Sequence, residues 1–462
     1  MLLKYIESIA NENPSRNFTE FIRFKKDVDN DARNQLKRAS IPQNPFEEII
    51  EKTIPLDVTI NCTLAWQVYI IKVIMYRLKL TEYGVFERDE NFYNLLKLLN
   101  SIYGDESDNV KRILPKIKRG NVEVNISELA KINIEFEWAD EEKKTIPFSS
   151  IAQKIITMYT NLIPTECNLY ILFDELELTL NKNKDYERDI TLIRDLILSV
   201  QYINEISKTK YYNVFISMAL RNEVYKSASS KGFEINKPVH DFGVLVSWQQ
   251  KGGDLNNHPL VKMIERKIQK SELERFGESS NDIWKKYFIP NIENNSIKNY
   301  ILNLTWFKPR DIIRLLTIAQ ELHGDEYLIN QAVLDTIRQR YAEESWDEFA
   351  EELRAKYSED EVEGIKQALI GISIPFKISD FEEQIKGKEE MYSEVEILAK
   401  SGKKMIHILR DLYDVGIIGN YGRVSRFSFR GDKDIDPMSL LTIHYPLMRF
   451  FKAKLKKNNK SS

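Results

Sequence analysis

The run "YILFDELELTL", residues 170–180, carries the sharpest chemistry in the chain. A continuous apolar stretch, typical of a strand buried on both faces of a parallel sheet, ends in Asp174 and Glu175. That pairing suits nucleotide hydrolysis. Asp174 would hold Mg²⁺ beside the β- and γ-phosphates, directly or through water, and Glu175 would polarise the attacking water as general base. The plainer reading is a strand whose chain turns into solvent. Downstream, "FISMALR" sets Ser217 and Arg221 at or just past the end of a second apolar run. There a polar side chain or an arginine can sense a γ-phosphate if the strands are neighbours. An arginine in a surface loop is the alternative.

The elements that must position these residues read as follows. Residues 1–10 are patterned as an amphipathic helix, and "NFTEFIRFKKD" (17–27) alternates like a strand. Residues 43–82 and 90–118 read as helices. "NVEVNISELAKINIEFEWAD" alternates over 121–139 and suggests a β-hairpin or insertion. A helix at 148–162, a strand ending at Asp174, a helix at 186–207, a strand at 211–221 and another at 241–248 give alternating strands and helices. That order predicts an α/β sheet with crossovers. Helical patterns fill 258–370, and the region after 386 reads helix, helix and two short strands around a basic turn, the order of a winged helix.

"YILFDELE", "FISMALRNEVY", "WFKPRDIIRLL" and "DLYDVGIIGN…RFSFRGD…IHYPLMRF" together resemble the signal-transducing (STAND-type) branch of the AAA+-like P-loop ATPases. More narrowly, they resemble a bacterial P-loop ATPase family associated with phage defence. The order and spacing of these segments over about 150–450 carry the resemblance. It implies a P-loop NTPase-like parallel sheet, a helical lid and a C-terminal winged helix. The expected domains are 1–255 (core, with an insertion near 119–140), 256–385 (lid), 386–452 (winged helix) and 453–462 (basic tail). The cofactors it implies are ATP or ADP with Mg²⁺. In "TWFKPRD", Pro309 and Arg310 match the family's lid turn, with the proline on the adenine and the arginine on the phosphates. Phe307 stands where glycine is usual, which puts close backbone approach in doubt. His444 in "LTIHYPLMRF" resembles the histidine that closes the winged helix on a nucleotide phosphate. An ordinary helix start and a core histidine are the plainer readings of these two motifs.

The phosphate-cradling loop G-x-x-x-x-G-K-[ST] has no match in the sequence. "MLLKYIESIA" has the texture of the helix that follows such a loop, so the first strand and the P-loop are expected to be missing from the sheet. A late start codon, a split gene or loss of the loop would each account for this. Backbone N–H groups and the loop lysine supply most phosphate contacts, so the chain as given is expected to bind ATP weakly or not at all.

The region read as a winged helix is also basic in places. Lys403, Lys404, Arg423, Arg426 and Arg430, interleaved with aromatics, are candidate phosphate contacts for nucleic acid. The net charge of −3 gives no global basic field, which favours packing over nucleic-acid binding. Two cysteines and five histidines exclude a disulfide framework and a His/Cys metal cluster. No signal peptide or membrane span is legible, and a cytoplasmic setting is expected. Two functions remain open. One is a nucleotide-dependent switch acting through homo-oligomerisation or an effector protein, plausibly in antiphage defence. The other is a non-hydrolysing scaffold or nucleic-acid-binding regulator acting through the winged helix.

Overall fold

The computed structural model describes residues 2–28, 33, 62–79, 81, 83–104, 115, 117–118, 121–123, 145–176, 183–229, 235–248, 255–354, 356–432 and 434–458. The chain forms two compact units, Met1–Val244 and Leu245–Ser462, each with its own apolar core.

In the first unit the elements run α1 (Leu2–Ala10), β1 (Asn17–Arg23), α2 (Phe24–Asp27), α3 (Thr63–Lys79), α4 (Glu90–Tyr103), β2 (Ile117–Lys118), β3 (Asn121–Glu123) and β4 (Thr145–Pro147). They continue as α5 (Phe148–Tyr159), β5 (Asn168–Leu176), α6 (Asn183–Thr209), β6 (Val214–Leu220), α7 (Asn222–Ser229) and α8 (Asn236–Phe242). The main sheet has the order β1-β5-β6, all parallel. Its central strand is buried at Leu169, Ile171, Leu172 and Phe173, as the apolar run predicts. Parallel strands need a covered crossover, and α6 supplies it between β5 and β6.

α3 is buried nearly all round. Its Lys72 is enclosed, with Nζ 4.3 Å from the Tyr103 ring centroid. Burial of a cation beside aromatic faces satisfies it where water is excluded. α6 fixes the start of α3: the Asp195 carboxylate accepts the Cys62 N–H at 2.6 Å, and Trp66 Nε1 donates to the Leu192 carbonyl at 3.0 Å. No described helix is long and apolar enough to cross a membrane.

Three expectations meet the structure here. The hairpin read at 121–139 is represented by β3, which pairs antiparallel with β2 and β4; residues 124–144 lie outside the described residues, as do 43–61 of the helices read at 43–82. The strand read at 241–248 is not formed. α8 runs through Phe242, and 243–248 have no strand pairing. Apolar patterning calls for a strand only where a neighbour offers an edge, and among the described residues no strand pairs with this run.

The second unit holds α9 (Pro259–Phe276), α10 (Ile283–Tyr287), β7 (Asn291–Ile292), β8 (Asn295–Ser296), α11 (Ile297–Asn303), α12 (Pro309–His323), α13 (Gln331–Leu353) and α14 (Glu359–Leu369). It ends with α15 (Ile378–Lys388), α16 (Ser393–Lys400), α17 (Met405–Val415), β9 (Ile418–Asn420), β10 (Leu441–Ile443) and α18 (Tyr445–Asn458). The β7–β8 pair interrupts a stretch whose pattern is helical throughout. α18 continues to Asn458 into residues whose composition suggests a frayed tail.

Local signals set many boundaries. Ser358 and Glu361 form a reciprocal capping box on α14, and Asn330 caps α13 through the Val333 N–H. Gly416 at φ 89° ends α17 in the left-handed conformation. β9 and β10 pair antiparallel, and Phe376 bridges antiparallel to Leu441 on the other side of β10.

Candidate functional site

Two clusters collect the sequence-derived candidates, one in each unit. The first is the C-terminal end of the parallel sheet. Asp174 lies in register with Arg23 of β1. Between Phe173 and Leu176 the β5–β6 register slips, because Met218 to Leu220 on β6 face one residue more on β5. Glu175 sits in that bulge with φ 56°, a conformation that non-glycine residues rarely adopt. Bulges re-aim side chains at strand ends. Here the Glu175 N–H folds back to Asp174 Oδ1 at 2.9 Å, and its carboxylate lies 4.0 Å from the Arg23 guanidinium.

Glu175 is exposed and Asp174 half-buried. Arg221 follows β6 directly, one residue beyond Leu220, which faces Leu176, and is exposed. Ser217 is set back, opposite Leu172. The sheet therefore brings Asp174, Glu175 and Arg221 to one edge, with Ser217 lower on the neighbouring strand. Arg23 completes the edge. Its sequence signal is its place at the end of the first strand, and only the register reveals its partner.

The second cluster centres on the turn 304–308 between α11 and α12. Pro309 begins α12, where its missing N–H costs nothing; Arg310 beside it is exposed. Phe307 has φ 54°. The backbone thus takes the left-handed geometry that glycine would adopt easily, with a bulky side chain in place. Packing holds it there: the ring lies 6.3 Å from Phe429 and 5.9 Å from His258 between centroids.

His444, at the start of α18, meets the same turn. Its Nε2 donates to the Thr305 carbonyl at 3.1 Å and its Nδ1 accepts the Tyr445 N–H at 3.0 Å. Both ring nitrogens are used, which fixes the neutral tautomer. Trp306, Phe427 and Phe429 surround the ring at 4.8, 5.0 and 5.0 Å. Burial, with Arg430 nearby as the next cause, pushes its pKa down to about 3.

Trp306 Nε1 donates to the Gly416 carbonyl at 2.9 Å, and Arg430 donates to Asn303 Oδ1 at 3.0 Å. Asp311, almost fully buried, accepts the Trp306 N–H at 3.3 Å. Burial pushes its pKa up to about 6, with Lys308 opposing. Two motifs far apart in sequence, "TWFKPRD" and "IHYPLMRF", are thus one packed joint. Trp306 and Gly416 are the members that sequence reasoning missed.

The basic candidates separate. Lys403 pairs with Glu361 and lies over the Tyr357 ring. Arg426 reaches Asp432 at 3.8 Å. Arg430 is largely enclosed and stacks on Phe307, Phe427 and Phe429. Lys404 and Arg423 are exposed and have no ion-pair partner among the described residues. Arg410, on the same helix as His407, pairs with Asp434, and Asp411 pairs with Lys356. Acidic side chains therefore thread the basic face.

Residues 258–350, from the N-cap of α9 into α13, match a family described as the FunZ-associated C-terminal helical domain. No curated protein and no solved structure matches the chain.

Proposed function

We propose that this protein is a nucleotide-dependent switch of the STAND-type ATPase kind, acting in a defence-associated setting. The observation that carries the reading is the bulged end of β5, which sets Asp174 and Glu175 at the C-terminal edge of the central parallel strand. Ligands of open α/β sheets bind at that edge. The FunZ-associated helical region is compatible with a defence context.

The donor set fits a magnesium nucleotide. Among the described residues no third metal-ligating side chain joins the two carboxylates. Two carboxylates suit a hard ion that takes its remaining oxygens from water and phosphate. When bound, Mg²⁺ would supply charge neutralisation at the phosphates. Asp174 would hold the ion, Glu175 would accept the proton of the attacking water, and Arg221 would lie beside the phosphates. In the second unit, Pro309 and Arg310 are the lid-turn residues that the family resemblance assigns to nucleotide contact. His444, seated on the Thr305 carbonyl, would relay the state of that turn to the C-terminal module. The phosphate-cradling loop is not among the 462 residues, so residues outside this sequence would supply it.

The C-terminal module supports a winged-helix reading. A strand segment at Phe376, then α15–α17, then β9 and β10 give the spatial strand order Phe376-β10-β9. Pairing of its basic residues with Glu361, Asp432 and Asp434 favours packing over DNA contact. The scaffold or nucleic-acid reading keeps Lys404 and Arg423 as its exposed cations.

The test is Mg²⁺-dependent ATP hydrolysis by the protein recovered from its own cells with its partners. Glu175→Gln should lower turnover about 10²–10⁴-fold, as loss of a general base does. Undiminished turnover would refute the assignment. The isolated 462-residue chain should show no rise in melting temperature with ATP.

A further inference from the structure

A cleft of about 670 Å³ lies in the second unit, belongs to neither cluster described above and needs no nucleotide to explain it. Its volume falls within the ~300–1,000 Å³ usual for binding sites. Residues 278–281 form one wall, and Phe276, Lys286, Tyr287 and Tyr327 line the rest. The loop wall is pinned from behind. Glu272 of α9 is 3% exposed, and its carboxylate accepts the Ser280 N–H at 2.7 Å, Ser280 Oγ at 2.6 Å, Lys286 Nζ at 2.7 Å and the Tyr287 hydroxyl at 2.8 Å. Gln269 Nε2 adds a bond to the Ser280 carbonyl at 3.1 Å. A buried carboxylate that gathers so many donors fixes the loop against the helix. The wall is therefore set before anything binds, which lowers the cost of binding.

The same bonds decide which charge the cleft offers. Lys286 spends its ammonium on Glu272 and on Ser280 Oγ at 3.0 Å. Glu278 is exposed and has no ion-pair partner among the described residues. Asp325 and Glu326, directly before Tyr327, are exposed and equally unpaired among the described residues. An anion entering the cleft would meet Glu278 and would have to win Lys286 from Glu272. A cation would meet a carboxylate and aromatic faces, which attract it. Two of the rings already hold one: Arg275 Cζ lies 5.5 Å from the Phe276 centroid and Lys286 Nζ 5.2 Å from that of Tyr287. Tyr327 is 78% exposed and has no cation over it among the described residues. A guanidinium suits this pairing, because it stacks on a ring while its N–H groups bond a carboxylate. Leu273 and Phe276, three residues apart on α9, are 56% and 61% exposed. They carry an apolar face beyond the cleft, so the surface suits a peptide chain rather than a lone small cation.

We propose that this cleft takes an arginine side chain from a basic segment of a partner protein, its guanidinium on the Tyr327 ring and the Glu278 carboxylate. The experiment is fluorescence anisotropy of a labelled arginine–glycine repeat peptide titrated with the full chain at physiological salt. A glutamate–glycine peptide and the variants Tyr327→Ala and Glu278→Lys run beside it. Both altered side chains are exposed, so the variants' melting temperatures should match the parent. The arginine peptide should bind saturably and the glutamate peptide should not. Tyr327→Ala should weaken binding about fivefold, as loss of a cation–π contact does. Glu278→Lys should weaken it by about tenfold or more, because like charges then meet. The proposal is overturned by absent saturable binding, by equal binding of the glutamate peptide, or by binding that either variant leaves unchanged. Displacement of the peptide by an equal concentration of spermine also overturns it, since the cleft would then read small polyamines.

Discussion

Glu175 and Phe307 share one backbone conformation and nothing else. Each is a non-glycine residue at a φ near +55°, 56° and 54° respectively. Glu175 stands in a strand bulge at an open, charged edge, its carboxylate loosely paired with Arg23. Phe307 stands in a dry aromatic joint, its ring against Phe429, His258 and Arg430. The strain in the second case is held by packing. In the first it follows from register, since β5 must spend one extra residue to stay paired with β6, with the Glu175 N–H folded back onto Asp174. A strained residue with an accessible polar side chain is a place for chemistry. A strained residue under a packed ring is a place where two elements are locked together.

The contrast can be broken most forcefully at Trp306. Its ring packs on Tyr341, Phe349 and His444, and its indole N–H bonds Gly416. Trp306→Ala should cost about 3–5 kcal/mol, read from urea unfolding. A cost below about 1 kcal/mol would mean the joint is not packed as described.

The joint should also titrate from two sides. The folded joint refuses a proton on His444, whose pKa falls from 6.5 to about 3. The unfolded chain accepts that proton, so this stabilisation is complete above about 6.5 and is lost as pH falls towards 3. Asp311 works in the opposite sense. Its pKa rises from 3.8 to about 6, so its stabilisation is present below 3.8 and lost as pH climbs through 6. Asp311→Asn should therefore raise stability at pH 7.5 by on the order of 2 kcal/mol and leave the acid-side loss intact. Melting temperatures from pH 4 to 8 check both slopes, and an unchanged alkaline slope would exclude Asp311 as its source.

Glycine substitutions sharpen the contrast at the two strained residues. Phe307→Gly relaxes the backbone but removes the ring, and should destabilise by roughly 1–2 kcal/mol net. Glu175→Gly relaxes the backbone and removes an exposed side chain, so it should stabilise by roughly 1 kcal/mol. Opposite signs in chemical denaturation are the expected outcome. The same sign at both positions would show that one of them is held by something other than its φ.

Much of this was legible beforehand, for reasons that particular residues make plain. The run ending at Phe173 is apolar without alternation, and only a strand covered on both faces has that texture. "TLAWQVYIIKVIMYRL" is apolar all round and forms a helix buried all round. Other features had no sequence signal. The bulge at Glu175 follows from a register between two strands some forty residues apart. The partners of Arg426 and Lys403 come from other elements, which turned a basic-looking stretch into paired charges. The failure at 241–248 has the same origin, because a strand is half of a pair and its other half is not written in its own residues.

By itself, then, the sequence determined the parallel order of buried strands, the all-round burial of α3, the caps at Ser358 and Asn330, and the placement of two acids at a strand end. These are local matters of period, capping and propensity. Tertiary structure alone decided that Arg23 faces Glu175 and that "TWFKPRD" closes on His444. It also decided that Asn204 bonds both backbone groups of Ile216 and that residues 243–248 form no strand. Each of those depends on which backbone groups and surfaces meet across long sequence separations, and packing and register set that.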